Sequence, residues 1–126
     1  MENEKSREVI HHKRNYYASD ASGSEAYCIS DVVPEAEGAK ELDLALHLYN
    51  VGTNARARVL YAPSGDGAYF ASASQVISLQ TSAGVTIETK TSDLGAKGRV
   101  ILAVSDSTGS GMVTVEAEVI GIWKGA

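Results

Sequence analysis

The three histidines could do chemistry, because imidazole binds metal ions and moves protons near neutral pH. His11 and His12 are adjacent and are followed by Lys13 and Arg14. Neighbouring side chains point apart in an extended or helical chain, so a metal site would need further ligands from elsewhere. We therefore interpret this segment as a basic cluster that is solvated or contacts another subunit, and we expect no metal ion or cofactor.

Nucleophilic catalysis would require a serine or a cysteine beside a base. His47 could act as that base, but the sequence lacks the Gly-x-Ser-x-Gly turn that exposes a nucleophilic serine, and Ser110 does not have its spacing. Cys28 is the single cysteine and lies between Tyr27 and Ile29, which favours a buried, unreactive thiol. These residues predict that the protein is not an enzyme.

Four acidic residues could serve hydrolysis or calcium binding. Glu116 and Glu118 would share one face of the last strand, so they cannot lie on opposite sides of a glycosidic bond. Asp66 and Asp106 lie in turn-like segments that lack the alternating acidic ligands of a calcium loop. We interpret the two glutamates as solubilising surface charge and the two aspartates as turn residues.

Tyrosines are the one constellation that favours ligand binding. Tyr49, Tyr61 and Tyr69 could line a sugar-binding surface if the fold brings them together. Arg56 and Arg58 would share a strand face and could contact an acidic partner, although two arginines do not make a nucleic-acid footprint.

The elements that would position these residues are strands. In Leu42–Tyr49 four leucines occupy alternate positions, which places all of them on one face of a strand. Similar alternation is found in three further segments: 55–59, 85–90 and 100–104. Glycine-, proline- and serine-containing turns separate these runs, and this spacing predicts an all-β fold, an antiparallel two-sheet β-sandwich that is jelly-roll-like.

The last strand, Met112–Trp123, combines alternation with an apolar end. Its inward residues would be Val113, Val115, Ala117 and Val119. Ile120, Ile122 and Trp123 place apolar groups on the face expected to be wet, and we predict that they form an oligomer contact.

The N-terminal segment differs in composition from the rest. Residues 1–14 carry a net charge of +1, against −6 for the remaining chain, and a linker-like run follows. We expect residues 1–24 to form an extended arm and residues 25–126 to form the sandwich. Since polar termini fray unless they are tied down, we expect the arm to be held by a neighbouring molecule or by the sandwich.

Composition limits the classes of function. The chain has 126 residues, 44% of them hydrophobic, and a net charge of −5. That length suits one domain with a core, and no apolar run approaches the ~20 residues of a membrane helix. An acidic body repels nucleic acid and anionic lipid, so we expect neither as a partner.

A polar arm followed by an acidic β-sandwich that is rich in Ser, Ala and Gly resembles the small structural proteins of tailed-phage virions, especially head decoration (cement) proteins. The resemblance implies a non-enzymatic protein, often trimeric, that binds major capsid subunits on the outer surface of the head. In that interpretation the arm contacts a neighbouring subunit. Its contact residues would be Lys5, Arg7, Lys13, Arg14, Tyr16 and Tyr17.

An alternative remains open. A sandwich with exposed tyrosines is also typical of carbohydrate-binding or host-adhesion modules, in which Tyr61 and Tyr69 would contact the glycan. Enzymatic activity is the third class and has the least support from the residues.

Overall fold

The computed structural model describes residues 5–19, 26–31, 40–62, 74–75, 80–91, 98–106 and 112–124. Within these ranges the regular elements are strands, and no helix there is long and apolar enough to cross a membrane. The strands are β1 (Lys5–Ser19), β2 (Ala26–Ile29), β3 (Glu41–Val51), β4 (Ala55–Ala62), β5 (Ser74–Gln75), β6 (Gly84–Lys90), β7 (Arg99–Asp106) and β8 (Met112–Lys124).

Two four-stranded antiparallel sheets form a sandwich. The first sheet has the order β1-β8-β3-β6 and the second has the order β2-β7-β4-β5. Strand β1 pairs with β8, β2 with β7, β3 with β6 and β4 with β5, as in a long hairpin that has been rolled up. This connectivity is that of a jelly roll, so the predicted fold class is confirmed.

The core lies between the sheets and follows from the alternation in the sequence. Leu42, Leu44, Leu46 and Leu48 of β3 are all buried, and the residues between them are half-buried on the outer face. On β8 the predicted inward residues are buried too, as are Val59 and Val100 of the second sheet. The turn between β3 and β4 contains Asn54 at φ 66°, a left-handed conformation that asparagine tolerates.

Strand β1 is the largest difference from the expected organisation. From Lys5 to Ser19 the segment pairs with β8 along its length, and Tyr16 and Ala18 are buried in the core. The expected arm over residues 1–24 is therefore a strand of the sandwich between Lys5 and Ser19, while residues 1–4 and 20–24 lie outside the described ranges. Two β-bulges, between Val9 and His11 and between His11 and Arg14, break the period-two pattern that would have revealed it.

Trp123 also differs from its expected position. Alternation on β8 continues through Gly121, which is buried, so Trp123 faces the core and is 4% exposed. It contributes to the hydrophobic core and not to an outer contact. Ile120 and Ile122 do lie on the outer face, where both are half-buried.

Deleting residues 1–19 is expected to abolish cooperative folding. The deletion would remove the neighbour of β8 on one side and uncover the core beside Tyr16 and Ala18. Thermal unfolding followed by far-ultraviolet circular dichroism should show no sharp transition. Deletion of residues 1–4 alone is the control and should leave the transition intact; a folded 20–126 fragment would contradict the role of β1.

Alanine substitutions of Trp123 and Ile122 should distinguish a core position from a surface position on β8. Trp123→Ala is expected to lower the free energy of unfolding by about 3–5 kcal/mol, because it opens a cavity in the core. Ile122→Ala should cost about 1 kcal/mol or less, since its side chain lies on the outer face. Urea unfolding followed by circular dichroism measures both; equal losses would contradict the assigned faces.

Candidate functional site

The outer face of the first sheet carries a continuous apolar row. Val9 of β1 is opposite Ile120 of β8, Ile120 is opposite Ala45 of β3, and Ala45 is opposite Ile87 of β6. Directly opposed residues in antiparallel strands share a face, so the four side chains cross the whole sheet. Ile87 is 62% exposed. An apolar row of this kind is a candidate contact surface.

Strand β6 has its polarity reversed relative to the core. Val85 and Ile87 lie on the outer face and are exposed, Val85 by 54%. Thr86, Glu88 and Lys90 instead share the core-side face with the leucines of β3. A strand that packs against a core on one side and water on the other normally shows the opposite arrangement. The reversal therefore leaves Val85 and Ile87 on the outer face without cover from their own chain, as is typical of a surface that another protein contacts.

Charges border the apolar row at both ends of β8. Glu116 and Glu118 precede Ile120 on the outer face, and Lys124 follows Ile122 on the same face. Lys124 Nζ lies 2.7 Å from Glu41 Oε1 on β3. The hydrogen bond to Glu41 and the charge of its carboxylate raise the pKa of Lys124. We call the residues Glu116, Glu118, Ile120, Ile122 and Lys124 the β8 stripe.

A polar cluster stands beside the acidic end of the β8 stripe. The rings of His47 and Tyr49 stack with centroids 4.1 Å apart, and Lys13 Nζ lies 4.0 Å from the centroid of the Tyr49 ring. Tyr49 Oη donates a hydrogen bond to Glu118 Oε1 at 3.1 Å. Desolvation and next the neighbouring carboxylate of Glu118 raise the pKa of Tyr49. The cluster fixes side chains at the sheet surface without enclosing a substrate.

The predicted contact residues of the N-terminal segment are now placed on β1. Arg7, Lys13 and Arg14 are exposed, and Tyr17 is 58% exposed. Of Lys5 the structure describes the backbone, which pairs with Lys124.

Tyr16 differs from the other predicted contact residues because its side chain is buried. Its hydroxyl donates to the carbonyl of His12 at 2.8 Å, and the Arg14 guanidinium lies 4.9 Å from its ring centroid. Burial raises the pKa of Tyr16. Tyr16 therefore anchors β1 in the sandwich and helps to position Arg14, and it is not an exposed anchor for a partner.

His11 and His12 diverge, as expected for neighbours in an extended chain. His12 is exposed, whereas His11 is buried and its Nε2 donates to the carbonyl of Val100 at 3.0 Å. Because that nitrogen carries the proton, Nδ1 is left to accept, and Cys28 Sγ lies 3.5 Å from it. No group of three or more metal-ligating side chains occurs among the residues described here.

Cys28 is half-buried beside His11 and Arg14. The Arg14 Nη2 atom lies 3.9 Å from the sulfur, and a cavity of about 70 Å³ adjoins it. For His11 to accept the thiol proton it would become an imidazolium inside the sandwich, and burial lowers the pKa of His11. The arrangement therefore holds β1 against the second sheet, with the imidazole kept neutral.

The tyrosine constellation expected for a sugar site is not assembled among the described residues. Tyr61 is fully buried in the second sheet, and desolvation raises its pKa to about 12. Tyr49 lies on the outer face of the first sheet, and Tyr69 is outside the described residues. The expectation that Tyr61 contacts a glycan is therefore corrected by its burial in the core.

Comparison with known proteins identifies likeness in fold alone. No family model and no curated protein matches the chain. A chain in the structure of infectious bursal disease virus Gx strain matches 96% of this chain with a TM-score of 0.53 and 8% identity. A chain of turnip yellow mosaic virus matches 96% of this chain and 81% of its own length, with a TM-score of 0.41 and 7% identity. This chain spans 31% of the first of these.

Stability is expected to fall as pH decreases from 7.5 to 5.5 because of His11. Its pKa in the folded protein is below 6.5, so the unfolded chain binds a proton more readily in this range. The loss should reach up to about 1.3 kcal/mol if the folded imidazole stays neutral throughout. Urea unfolding followed by tryptophan fluorescence would measure it.

His11→Gln is the matched variant, because its amide can still donate to the carbonyl of Val100 without titrating. Its free energy of unfolding should lose this part of the pH dependence. If wild type and variant showed the same slope between pH 7.5 and 5.5, the buried imidazole would not be the cause.

Proposed function

We propose that this chain is a non-enzymatic structural protein of a virus particle, of the capsid decoration (cement) type. The observation that carries the proposal is the apolar row on the outer face of the first sheet, from Val9 to Ile87, bordered by charge. A jelly roll that presents a sheet face of this kind is suited to contacts between proteins. The likeness in fold to a chain of a virus structure over 96% of the residues supports the same direction.

The contact with the capsid is assigned to β1. Arg7, Lys13, Arg14 and Tyr17 are exposed along this edge strand and would meet acidic patches of the major capsid protein or another virion protein. Aromatic and arginine side chains contribute most to such contacts. Because the chain as a whole is acidic, the cations of β1 would also orient it as it approaches an acidic partner.

The proposed location of the chain in the particle is the outer surface of the head. The net charge of −5 disfavours contact with the packaged nucleic acid inside. Decoration proteins are expected to act as homo-oligomers, and the resemblance to them in general layout favours a trimer. Ile120 and Ile122 remain the proposed oligomer contacts on the outer face.

The surroundings of the titratable groups favour a structural role over catalysis. The Cys28 thiol and the His11 imidazole lie within 3.5 Å, but the imidazole is buried and its pKa is lowered, so it is a poor acceptor for the thiol proton. His47 is stacked on Tyr49, and its environment includes no nucleophile among the contacts described above. These groups stabilise strands and surface side chains.

Particle binding should depend on the exposed residues of β1. Arg14→Glu combined with Tyr17→Ala is expected to weaken binding to virus particles by about tenfold or more, because a cation and an exposed aromatic anchor are removed. Gradient-purified particles from the source culture, stripped of this protein, would be incubated with labelled variants and sedimented. An antibody against the chain should also label the intact particles.

Lys40→Glu is the control for charge reversal, since Lys40 is an exposed cation that precedes β3 and does not lie on β1. It should bind particles as wild type does. Absence of the chain from purified particles would contradict the virion role, and equal binding by all variants would contradict the contact assigned to β1.

A further inference from the structure

The two outer faces of the sandwich are not equivalent. On the second sheet, Leu60, Ala62 and Ile101 form a separate cluster that the chain itself buries, with Leu60 3% exposed and Ile101 fully covered. On the first sheet, Val85 and Ile87 are more than half exposed. The apolar cluster on the outer side of the second sheet is thus covered within one molecule, whereas Val85 and Ile87 on the first sheet are not.

A second copy that approaches the β6 side of the first sheet is expected to contact the face and not the β6 edge. Strand β6 is an edge strand of the first sheet, and its core-side face carries Glu88 and Lys90. Charged residues that point inward from an edge strand are a common device against pairing with another strand. The apolar residues Val85 and Ile87 point instead to the outer face, where a second sheet could pack about 10 Å away.

The two ends of the β8 stripe are complementary to each other when the strand is reversed. Along the strand its outer residues are acidic, acidic, apolar, apolar and basic, from Glu116 to Lys124. A two-fold axis that lies over Ile120 and runs across the strands places Glu116 of one copy opposite Lys124 of the other, and Glu118 opposite Ile122. The Glu118 carboxylate already accepts a hydrogen bond from Tyr49 in its own chain. Because the contact is two-fold, the Glu116–Lys124 pair forms at both ends of the stripe.

Strand β3 agrees with the same rotation axis. Ala45 is opposite Ile120, so the axis passes through both residues. On the outer face Asp43 precedes Ala45 and His47 follows it, and the rotation places Asp43 of one copy opposite His47 of the other. Two neighbouring strands therefore give acid opposite base about one axis.

We propose that the outer face of the first sheet binds a second copy of this chain in a two-fold, face-to-face contact. The apolar row from Val9 to Ile87 would form its centre, and the Glu116–Lys124 charge pairs of β8, together with the Asp43–His47 polar pairs of β3, would fix the antiparallel direction. The contact does not depend on the virion role. Because an isologous contact closes at two copies, Ile120 and Ile122 would be contacts of this dimer, and a trimer of the kind that the resemblance favours would form through a different surface.

The size of the face sets the expected affinity. Four strands spaced by about 4.8 Å, and eight residue steps of about 3.4 Å, span about 19 by 27 Å, or roughly 500 Å² of projected area per copy. Stable interfaces bury about 800 Å² per partner. We therefore expect a reversible dimer with a dissociation constant in the micromolar range or weaker.

Sedimentation equilibrium of the purified chain from about 5 to 500 µM tests the contact. The mass should rise towards twice the 13.3 kDa of one chain. Ile87→Glu should weaken dimerisation at least tenfold and leave the thermal unfolding midpoint nearly unchanged, since this side chain is 62% exposed. Tyr27→Glu, on the other sheet, should dimerise as wild type does.

Charge reversal tests the orientation. Glu116→Lys and Lys124→Glu should each weaken self-association, because each places like charges together at both ends. An equal mixture of the two variants should form a heterodimer, and the double variant E116K/K124E should recover self-association. E41K/K124E is the control, since it restores an opposite pair within the chain but leaves Glu116 facing Glu at position 124.

The proposal would be overturned by a mass that stays at one chain up to 500 µM, by a trimer insensitive to Ile87→Glu, or by a folded E116K and K124E pair that fails to form a heterodimer. The virion role is tested by other measurements. That role is read from the presence of the chain in particles and from the β1 variants, so the two proposals can fail separately.

Discussion

The register of strand β8 is the constraint on which both faces of the first sheet depend. This strand is held between β1 and β3, so each of its residues is fixed towards the core or away from it. A shift by one residue would bring Glu116 and Glu118 into the core and move Val115 and Ala117 out. Burying two carboxylates would cost several kcal/mol, so the hydrophobic core and the outer charge pattern are specified together.

Strand β1 shows why part of the fold could not be predicted from the sequence. Neighbouring strands β3 and β8 alternate clearly over Leu42–Leu48 and Val113–Val119, and period two alone predicts both strands. In β1 the bulges shift the alternation, so Ile10 and His11 both face inward while Tyr16 and Ala18 resume the pattern later. Only the pairing with β8 identifies this polar segment as a strand.

Glycine explains the misplacement of Trp123. Gly121 occupies a core-facing position on β8, where the Ile10 side chain fills the space that a larger residue would take. In the sequence a glycine there breaks the apolar alternation, so the pattern groups Trp123 with Ile120 and Ile122. The sequence could not predict which face of β6 Val85 and Ile87 occupy either, because an alternating strand does not reveal which side is buried until its register with β3 is known.

The apolar end of β8 connects the fold with the exposed face. From Val119 to Trp123 the strand carries five consecutive residues without a charge, whereas Glu116 and Glu118 alternate with apolar residues just before. Continuous apolar runs are typical of strands covered on both faces. The core covers one side of this run, and on the other side its two isoleucines share the outer face with the exposed residues of β6, from which β3 separates them. At the rim Glu88 and Lys90 are half-buried and can direct their charged ends to solvent, so the reversed strand is compatible with a folded single chain. The apolar character on both sides is therefore local to the middle of the outer face, where a second protein surface would complete the burial that the sandwich leaves unfinished.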